Sequence, residues 1–409
     1  MAPYIDTTWI GGVEIGTPPL ELHLRTEPFE PIPPARPGTG DDFVRSYGND
    51  QLNSRVNMSL APGRWEIAWK AQLPVRAPSC RLLRLGERIL VDAPVEWCLY
   101  DNAGKQLSTG SVAPGGITLD AARGVYYMMN RLGYLAAREL SNGASSFLMG
   151  IDFGNSFMHP FVAPRRHFLL ASGIELQRNP HGAPRQSSNL QLIDLGEQPE
   201  VSNDHILKSF RTVKTLKRKT ACLFAAMNEN ALVVATDDRI YVADTGLNIL
   251  KVLTGKFTPL AMSLDEKTNI YLVALSDNSM VILLCATPDG ELSCARELRG
   301  SFGETVSPPL VGFDHTVHLL FRERIKAYTA DGLLLWDEHA GAAIAGAVVM
   351  ADGNLLVAAG GLLEAFDQHG KRTILRTFPG EAVCSQPLPG SDGSLFIATE
   401  EYLYELIAR

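Results

Sequence analysis

The sequence lacks the segments that would place the protein in or at a membrane. No stretch reaches the roughly 18 apolar residues that cross a bilayer, and the first residues, MAPYIDTTWIGGVEIG, have neither the basic nor the apolar region of a secretory signal. Positive charge is also scarce, because 37 lysines and arginines stand against 45 aspartates and glutamates. The net charge of −8 disfavours a general nucleic-acid binder and a protein held by anionic lipid. We therefore expect a cytoplasmic protein without membrane attachment.

The sequence also lacks the short motifs of common catalytic and cofactor sites. It has no GxxxxGK[ST], no GxGxxG after a strand, no HExxH and no GxSxG. Isolated cysteines in strand-like segments are usually small buried hydrophobes, and here no two cysteines are adjacent or in a CxxC pair. The six are Cys80, Cys98, Cys222, Cys285, Cys294 and Cys384. These absences predict no catalytic residue, no metal site and no cofactor.

What the sequence does contain is a degenerate repeat of short strands. Clear copies are ILVDAPVEWCLYDNAGK (89–105), LVVATDDRIYVADTG (232–246) and LFIATEEYLYELIAR (395–409). Each copy predicts two antiparallel strands. Turns such as ADG (330–332), QHG (368–370) and SDG (391–393) place Asp or His before Gly, residues that tolerate the geometry of tight hairpins. Repeats of about 40 residues built from short strands indicate a β-propeller. Eight repeat starts predict an all-β, eight-bladed β-propeller; seven blades remain open because 120–195 fits the repeat least well.

The two ends of the chain predict how the ring closes. Residues 1–62 are rich in proline and mixed charge, which predicts an extended N-terminal arm, and residues 63–409 form the propeller. The last copy stops after the third strand of its blade, whereas 64–74 is a strand without a blade of its own. We therefore expect 64–74 to pair with the strand near Tyr402–Leu406, because closure removes an exposed sheet edge.

The repeat resembles the PQQ-like, quinoprotein-type propeller family. The residues that carry the resemblance are AYTADGLLLW (327–336), AFDQHGKRTIL (365–375) and LYDNAGKQL (99–107). Trp336 stands at the family's docking-tryptophan position, and Trp65 or Trp69 is the candidate in the closing strand.

The family contains two kinds of protein, and the resemblance implies different functions for them. Its dehydrogenases bind pyrroloquinoline quinone and calcium, with an adjacent Cys-Cys disulfide and acidic metal ligands, and neither feature has a match here. Its non-enzymatic members are scaffolds. We therefore expect the non-enzymatic bacterial branch, with an AAA-type ATPase of the MoxR kind or a von Willebrand A-domain protein as partner.

Two segments are the candidate partner-binding elements. The apolar anchors of the arm are Trp9, Leu20, Leu22, Leu24 and Phe29. The basic residues of KSFRTVKTLKRK are Lys208, Arg211, Lys214, Lys217, Arg218 and Lys219. A basic run of this kind attracts an acidic partner, although an outer strand or linker whose charges blunt an edge is the simpler interpretation.

Two histidine-containing segments are not expected to form a metal site or a catalytic site. His315 and His318 lie three apart on a strand, so they point to opposite faces and do not readily chelate one ion. Asp337, Glu338 and His339 have no nucleophile beside them and are interpreted as a solvated loop between blades. The hairpins TDDR (236–239), SDNS (276–279) and RER (322–324) are expected to gather on one face of the disc, where propellers bind partners.

These observations predict a non-catalytic protein–protein interaction scaffold in a bacterial cytoplasmic multi-protein system. The alternative is an enzyme that uses the central funnel, such as a degenerate quinoprotein, a lyase or a hydrolase. An enzyme would carry convergent acidic residues or histidines around the ring axis.

Overall fold

The computed structural model describes the chain in segments, and every described element is a β-strand. These segments are 55–56, 65–94, 96–111, 117–120, 124–129, 134–139, 141–150, 161–162, 168–177, 185–194, 200–201, 208–209, 212–218, 222–227, 230–236, 239–244, 248–254, 258–264, 269–275, 281–286, 292–298, 309–312, 314, 316–329, 332–350, 352–390 and 393–409. No helix in this part of the chain could span a membrane.

The first half of the chain provides two early strands and three sheets. The early strands are β1 (Arg55–Val56) and β2 (Trp65–Gln72). Sheet 1 contains β3 (Arg81–Leu85), β4 (Arg88–Asp92), β5 (Glu96–Asp101) and β6 (Gln106–Ser111). Sheet 2 contains β7 (Ile117–Asp120), β8 (Val125–Met129), β9 (Tyr134–Glu139) and β10 (Ser145–Gly150). Sheet 3 contains β11 (Phe161–Val162), β12 (Phe168–Gln177) and β13 (Arg185–Asp194), and after a ribbon of β14 (Glu200–Val201) and β15 (Lys208–Ser209) it adds β16 (Thr212–Arg218).

The second half of the chain provides five further sheets. Sheet 4 contains β17 (Cys222–Met227), β18 (Ala231–Thr236), β19 (Arg239–Asp244) and β20 (Ile249–Thr254). Sheet 5 contains β21 (Thr258–Leu264), β22 (Ile270–Leu275), β23 (Val281–Ala286) and β24 (Leu292–Leu298). Sheet 6 contains β25 (Leu310–Val311), β26 (Val317–Leu320), β27 (Arg324–Tyr328) and β28 (Leu334–His339). Sheet 7 contains β29 (Ile344–Met350), β30 (Leu355–Ala359), β31 (Leu362–Phe366) and β32 (Arg372–Thr377), and sheet 8 begins with β33 (Leu388–Pro389), β34 (Leu395–Ala398) and β35 (Tyr402–Ala408).

The sheets are arranged as the blades of a propeller. The first strands of neighbouring sheets contact one another, as β7 does with β11, β17 with β21, and β25 with β29. Because each sheet proceeds outward from its first strand by antiparallel pairing, these contacts place the first strands around a common centre. The all-β propeller fold predicted from the sequence is confirmed.

The number of blades is described less fully than the fold. Side chains are described on three or more strands in sheets 1, 2, 4, 6, 7 and 8, which are six blades. Sheets 3 and 5 are described mainly through their backbone pairing. The structure thus shows six blades whose side-chain packing is described, and the count of eight blades stays a prediction.

Sheet 8 is completed by a strand from the other end of the chain. Strand β2 pairs antiparallel with β35, with Trp65 opposite Ala408 and Gln72 opposite Tyr402. Sheet 8 contacts sheet 7 through β2 and β32, and it contacts sheet 1 through β33 and β3. The structure therefore contains the closing pairing that the sequence predicts for 64–74.

A second early strand reaches the inner edge of a sheet. Strand β1 pairs in parallel with the first strand of sheet 7, with Arg55 opposite Val349 and Val56 opposite Met350. The chain thus covers an edge of β29 with its own backbone. The rest of the predicted arm, 1–54 and 57–62, lies outside the described residues.

The middle strands form the core, whereas the outermost strands meet solvent. Every residue of β18 and of β30 is buried, as their continuous apolar sequences predict for a strand covered on both faces. Along the outer strand β32 most residues are exposed. Apolar clusters join sheets 7, 8 and 1, sheets 6 and 7, and sheets 1 and 2, so the cohesion of the ring lies between neighbouring blades.

Tryptophans on outer strands pack against the next blade and hold neighbouring blades together. Trp69 donates from Nε1 to the carbonyl of Asn102 at 2.9 Å, and its ring fills the space beside Gly104 in the β5–β6 turn of the next blade. Trp336 packs in the same way beside Gly370 and stacks on Phe366. The docking position predicted for Trp336 is occupied as expected, and in the closing strand the docking residue is Trp69.

Candidate binding cleft at the ring closure

The candidate site begins with the connector that leads from the closing strand into the first blade. This connector, residues 73–80, carries Pro74 and Pro78, which restrict its backbone. Backbone hydrogen bonds fix it to the β34–β35 turn, from Leu73 N to Glu401 O at 2.8 Å and from Ala77 N to Glu400 O at 2.9 Å. The connector is therefore a rigid wall held by the neighbouring blade.

An apolar cleft lies between this connector and the β4–β5 hairpin of sheet 1. We call it the closure cleft; its lining residues are Leu73, Pro74, Val75, Arg76, Ala77, Pro78, Val91, Ala93, Pro94, Glu96 and Cys98. Its volume is about 200 Å³. Val75 is 44% exposed and so presents an apolar side chain to solvent at the cleft. The hairpins between second and third strands and the connectors between blades lie at the same end of an antiparallel blade, so the cleft belongs to one face of the disc.

The rim of the cleft is charged, with acidic groups in excess. Arg76 donates from Nε to Glu400 at 2.6 Å, and this hydrogen bond with the glutamate raises the pKa of the guanidinium. Glu401 lies 4.0 Å from the Arg76 guanidinium with about half of its side chain exposed. Glu96 accepts a hydrogen bond from Thr109 Oγ1 at 2.6 Å. An apolar hollow with a polar rim is the arrangement found at protein-binding surfaces, and here the rim is mostly acidic.

One buried thiol, Cys98, lines the cleft, and a second, Cys80, lies at the end of the connector. Burial raises the pKa of Cys98 to about 11. A hydrogen bond with Cys384 and burial together raise the pKa of Cys80 well above its ordinary value. Tyr100 donates to the carbonyl of Gln72 at 3.3 Å, which joins sheet 1 to the closing strand, and burial raises its pKa. Cys98 therefore stays uncharged near neutral pH and adds an apolar group to the wall of the cleft.

The structure distributes the predicted partner-binding residues over different elements. The basic residues Lys214, Lys217 and Arg218 lie on β16, the outermost strand of sheet 3, which agrees with an edge strand blunted by charge. Lys208 lies on β15 of the two-stranded ribbon. The remaining candidates lie outside the described residues: Trp9, Leu20, Leu22, Leu24, Phe29, Arg211 and Lys219.

The acidic-histidine segment after Trp336 is a strand, so its interpretation as a loop is wrong. Asp337, Glu338 and His339 belong to β28, the outermost strand of sheet 6. Asp337 accepts a hydrogen bond from Arg324 Nη2 at 2.8 Å on the adjacent strand, while Glu338 and His339 are exposed. Trp336 is the buried residue of this strand and its neighbours are largely exposed, which is the pattern of an outer strand held by a docked tryptophan.

His318 is a core residue of sheet 6. It is 2% exposed on β26, its ring lies 5.6 Å from that of Trp336, and burial lowers its pKa to about 4. His315 lies outside the described residues. Among the residues whose positions are described, no three histidine, cysteine or acidic groups are placed to bind a metal ion.

The sequence reasoning missed the closure cleft. The available signal was the segment LPVRAPS (73–79), in which two prolines bracket an arginine directly after the predicted closing strand. The strands that flank the predicted hairpins pair antiparallel, β18 with β19, β22 with β23 and β26 with β27, but the cleft lies beside the corresponding hairpin of sheet 1.

Comparison with known proteins shows the fold and does not extend to a family assignment. No protein-family model matches the chain, and no curated protein matches it. Among solved structures, BamB from Moraxella catarrhalis is similar with a TM-score of 0.57 and 12% identity, over 84% of this chain and 98% of that one. A europium-containing methanol dehydrogenase is similar with a TM-score of 0.59 and 10% identity, over 90% of this chain and 99% of that one. Both likenesses indicate a PQQ-like β-propeller fold, which hosts an enzyme in the second case.

Proposed function

We propose that the protein is a non-catalytic interaction scaffold that holds a protein partner in the closure cleft. The observation that carries the proposal is the cleft itself, an apolar hollow of about 200 Å³ between the β4–β5 hairpin and a connector that backbone hydrogen bonds fix to the neighbouring blade. A dry apolar cavity of about 150 Å³ accepts a benzene molecule, so this one is large enough for an aromatic or large aliphatic side chain. Interfaces concentrate their binding energy in such central anchors.

The rim defines the chemistry of the partner segment. Glu400 is paired with Arg76, whereas Glu401 keeps about half of its side chain exposed beside the cleft. An apolar anchor followed by a lysine or arginine would complement this rim, because opposite charges at an interface speed encounter and fix register. We infer a short partner segment with one large apolar residue next to a basic one.

The blade count, the location and the partner of the scaffold are part of the same proposal and rest on the sequence. We propose eight blades, a cytoplasmic location, and a partner that is an AAA-type ATPase of the MoxR kind or a von Willebrand A-domain protein. In this scheme the N-terminal arm acts as a second, extended contact with the partner, because proline-rich segments lose little conformational freedom on docking.

A cross-link from within the cleft tests the proposal. A photoreactive amino acid at Val75 should capture a partner in cells, and the purified partner should then bind the unmodified protein. Val75→Asp should weaken that binding at least about tenfold, since a charge must be buried for the anchor to enter. Leu250→Asp is the matched control, because Leu250 is 47% exposed and lies on the outer strand of sheet 4. Equal binding by Val75→Asp and the wild type would place the partner elsewhere.

A further inference from the structure

Two thiols face each other across the seam where the ring closes. Cys80 precedes the first strand of sheet 1, and Cys384 lies in the segment that leads into the first strand of sheet 8. Their Sγ atoms are 3.5 Å apart, both side chains are buried, and both are free cysteines. They are separated by 304 positions in the chain.

The backbone around the two cysteines is fixed on both sides of the seam. Cys80 N donates to Cys384 O at 2.9 Å. Two residues further on, the Gln386 side chain donates to the carbonyl of Leu82 at 2.7 Å and accepts from the Leu82 amide at 3.4 Å. The two segments therefore run side by side, and the sulfurs need to approach by only about 1.5 Å to reach the disulfide bond length of about 2.05 Å.

We propose that Cys80 and Cys384 form a reversible disulfide that covalently joins the first blade to the closing blade. The oxidant is a low-molecular-weight disulfide. One thiol attacks it and releases one thiol product, and the second protein thiol then displaces the other half. The protein gains one S–S bond and loses two protons and two electrons, while the oxidant's S–S bond breaks and it leaves as two thiols.

The buried position makes this bond slow to form in the closed ring. The thiolate is the attacking species, and the hydrogen bond and burial hold the pKa of Cys80 well above its usual range. Oxidation therefore proceeds while the seam is transiently open. Once the seam closes over the bond, the same burial protects the disulfide from reductant.

The disulfide would add a covalent closure to a ring that is otherwise closed by strand pairing. Strand β2 holds sheet 8 together through hydrogen bonds with β35, but the cysteines join sheet 8 to sheet 1 directly. Cross-links that close long loops constrain the unfolded chain most. The oxidised protein should accordingly melt about 5 °C higher than the reduced protein.

The test uses the full-length wild-type protein, incubated with oxidised glutathione at several urea concentrations below the unfolding transition. Non-reducing digestion and mass spectrometry should identify a peptide pair containing Cys80 and Cys384. The rate of its formation should rise with urea, since urea opens the seam, and the melting temperature should rise and return after reduction.

Matched variants show whether the cross-link joins Cys80 to Cys384 or involves the nearby Cys98. Cys98→Ala removes the third cysteine of the same cluster and should keep both the cross-link and the shift. Cys384→Ala should lose both. If Cys384→Ala fails to fold, the wild-type digest decides the matter. The proposal is overturned if Cys80 and Cys384 remain free after prolonged oxidation, if either one pairs with Cys98 instead, or if the cross-linked protein melts like the reduced one.

Discussion

The docking of Trp69 on the next blade can be measured by adding a single methyl group to Gly104. This glycine has a φ of +77°, and a Cβ built on it would lie 2.7 Å from the Trp69 ring. Two costs therefore arise in Gly104→Ala, the strain of a side chain at positive φ and the clash with the ring. The first is about 1 kcal/mol and the second, as overpacking, about 1–3 kcal/mol.

Gly380 isolates the first of these costs. It has the same φ of +77°, and a Cβ built on it would meet no atom within 4 Å. Gly380→Ala should therefore lower the unfolding free energy by about 1 kcal/mol, and Gly104→Ala by about 2–4 kcal/mol. Urea unfolding followed by circular dichroism measures both, provided the slopes of the two transitions agree.

A double-mutant cycle assigns the difference to the tryptophan. In a Trp69→Ala background the clash is gone, so Gly104→Ala should cost no more than Gly380→Ala does. If Gly104→Ala and Gly380→Ala are equally destabilising in the wild-type background, Trp69 does not hold the two blades together in the way described.

Three further predictions concern the buried histidine, the closing strand and the funnel. Burial lowers the pKa of His318 from 6.5 to about 4, so the unfolded chain binds a proton in this interval that the folded chain does not. The unfolding free energy should therefore fall by about 3 kcal/mol as the pH drops from 6.5 towards 4, and His318→Phe should flatten that part of a urea-midpoint profile; an unchanged profile would contradict the assignment. Deleting 64–74 should lower the melting temperature of the whole ring because β35 loses its partner. A truncated chain that begins near Ser59 keeps this strand and should stay folded. Equal melting temperatures for the two variants would mean that β2 does not close the ring. Adding pyrroloquinoline quinone with calcium should leave the melting temperature unchanged, and a rise that scales with ligand concentration would favour the enzyme alternative.

The propeller and its closure could be predicted because they depend on local pattern and on counting strands. The strand at 64–74 lacked a blade and the last repeat lacked a fourth strand, so their pairing needed no knowledge of side-chain contacts. The docking role of Trp336 was predictable for the same reason, since its place in the repeat is fixed. The choice between Trp65 and Trp69 was not, because it depends on which face of β2 meets the next blade.

The candidate site could not be predicted from the sequence because no single segment contains it. The closure cleft combines a connector, a hairpin from the first blade and a turn from the last. Cys80 and Cys384 are equally uninformative as isolated cysteines and meet only because the ring closes between them. The segment at 336–339 was misassigned because its charges suggested a loop, whereas one docked tryptophan is enough to hold it as an outer strand.

The origin of the closing strand also sets the order of events during synthesis on the ribosome. Strand β2 leaves the ribosome early, but its partner β35 is made roughly 330 residues later. At 5–20 residues per second this interval is on the order of 20–70 s. During this time the Trp65 side chain has no sheet to cover it. The nascent chain therefore carries an unpaired strand through almost the whole of translation, and we expect this segment to be the place where chaperones bind the unfinished protein.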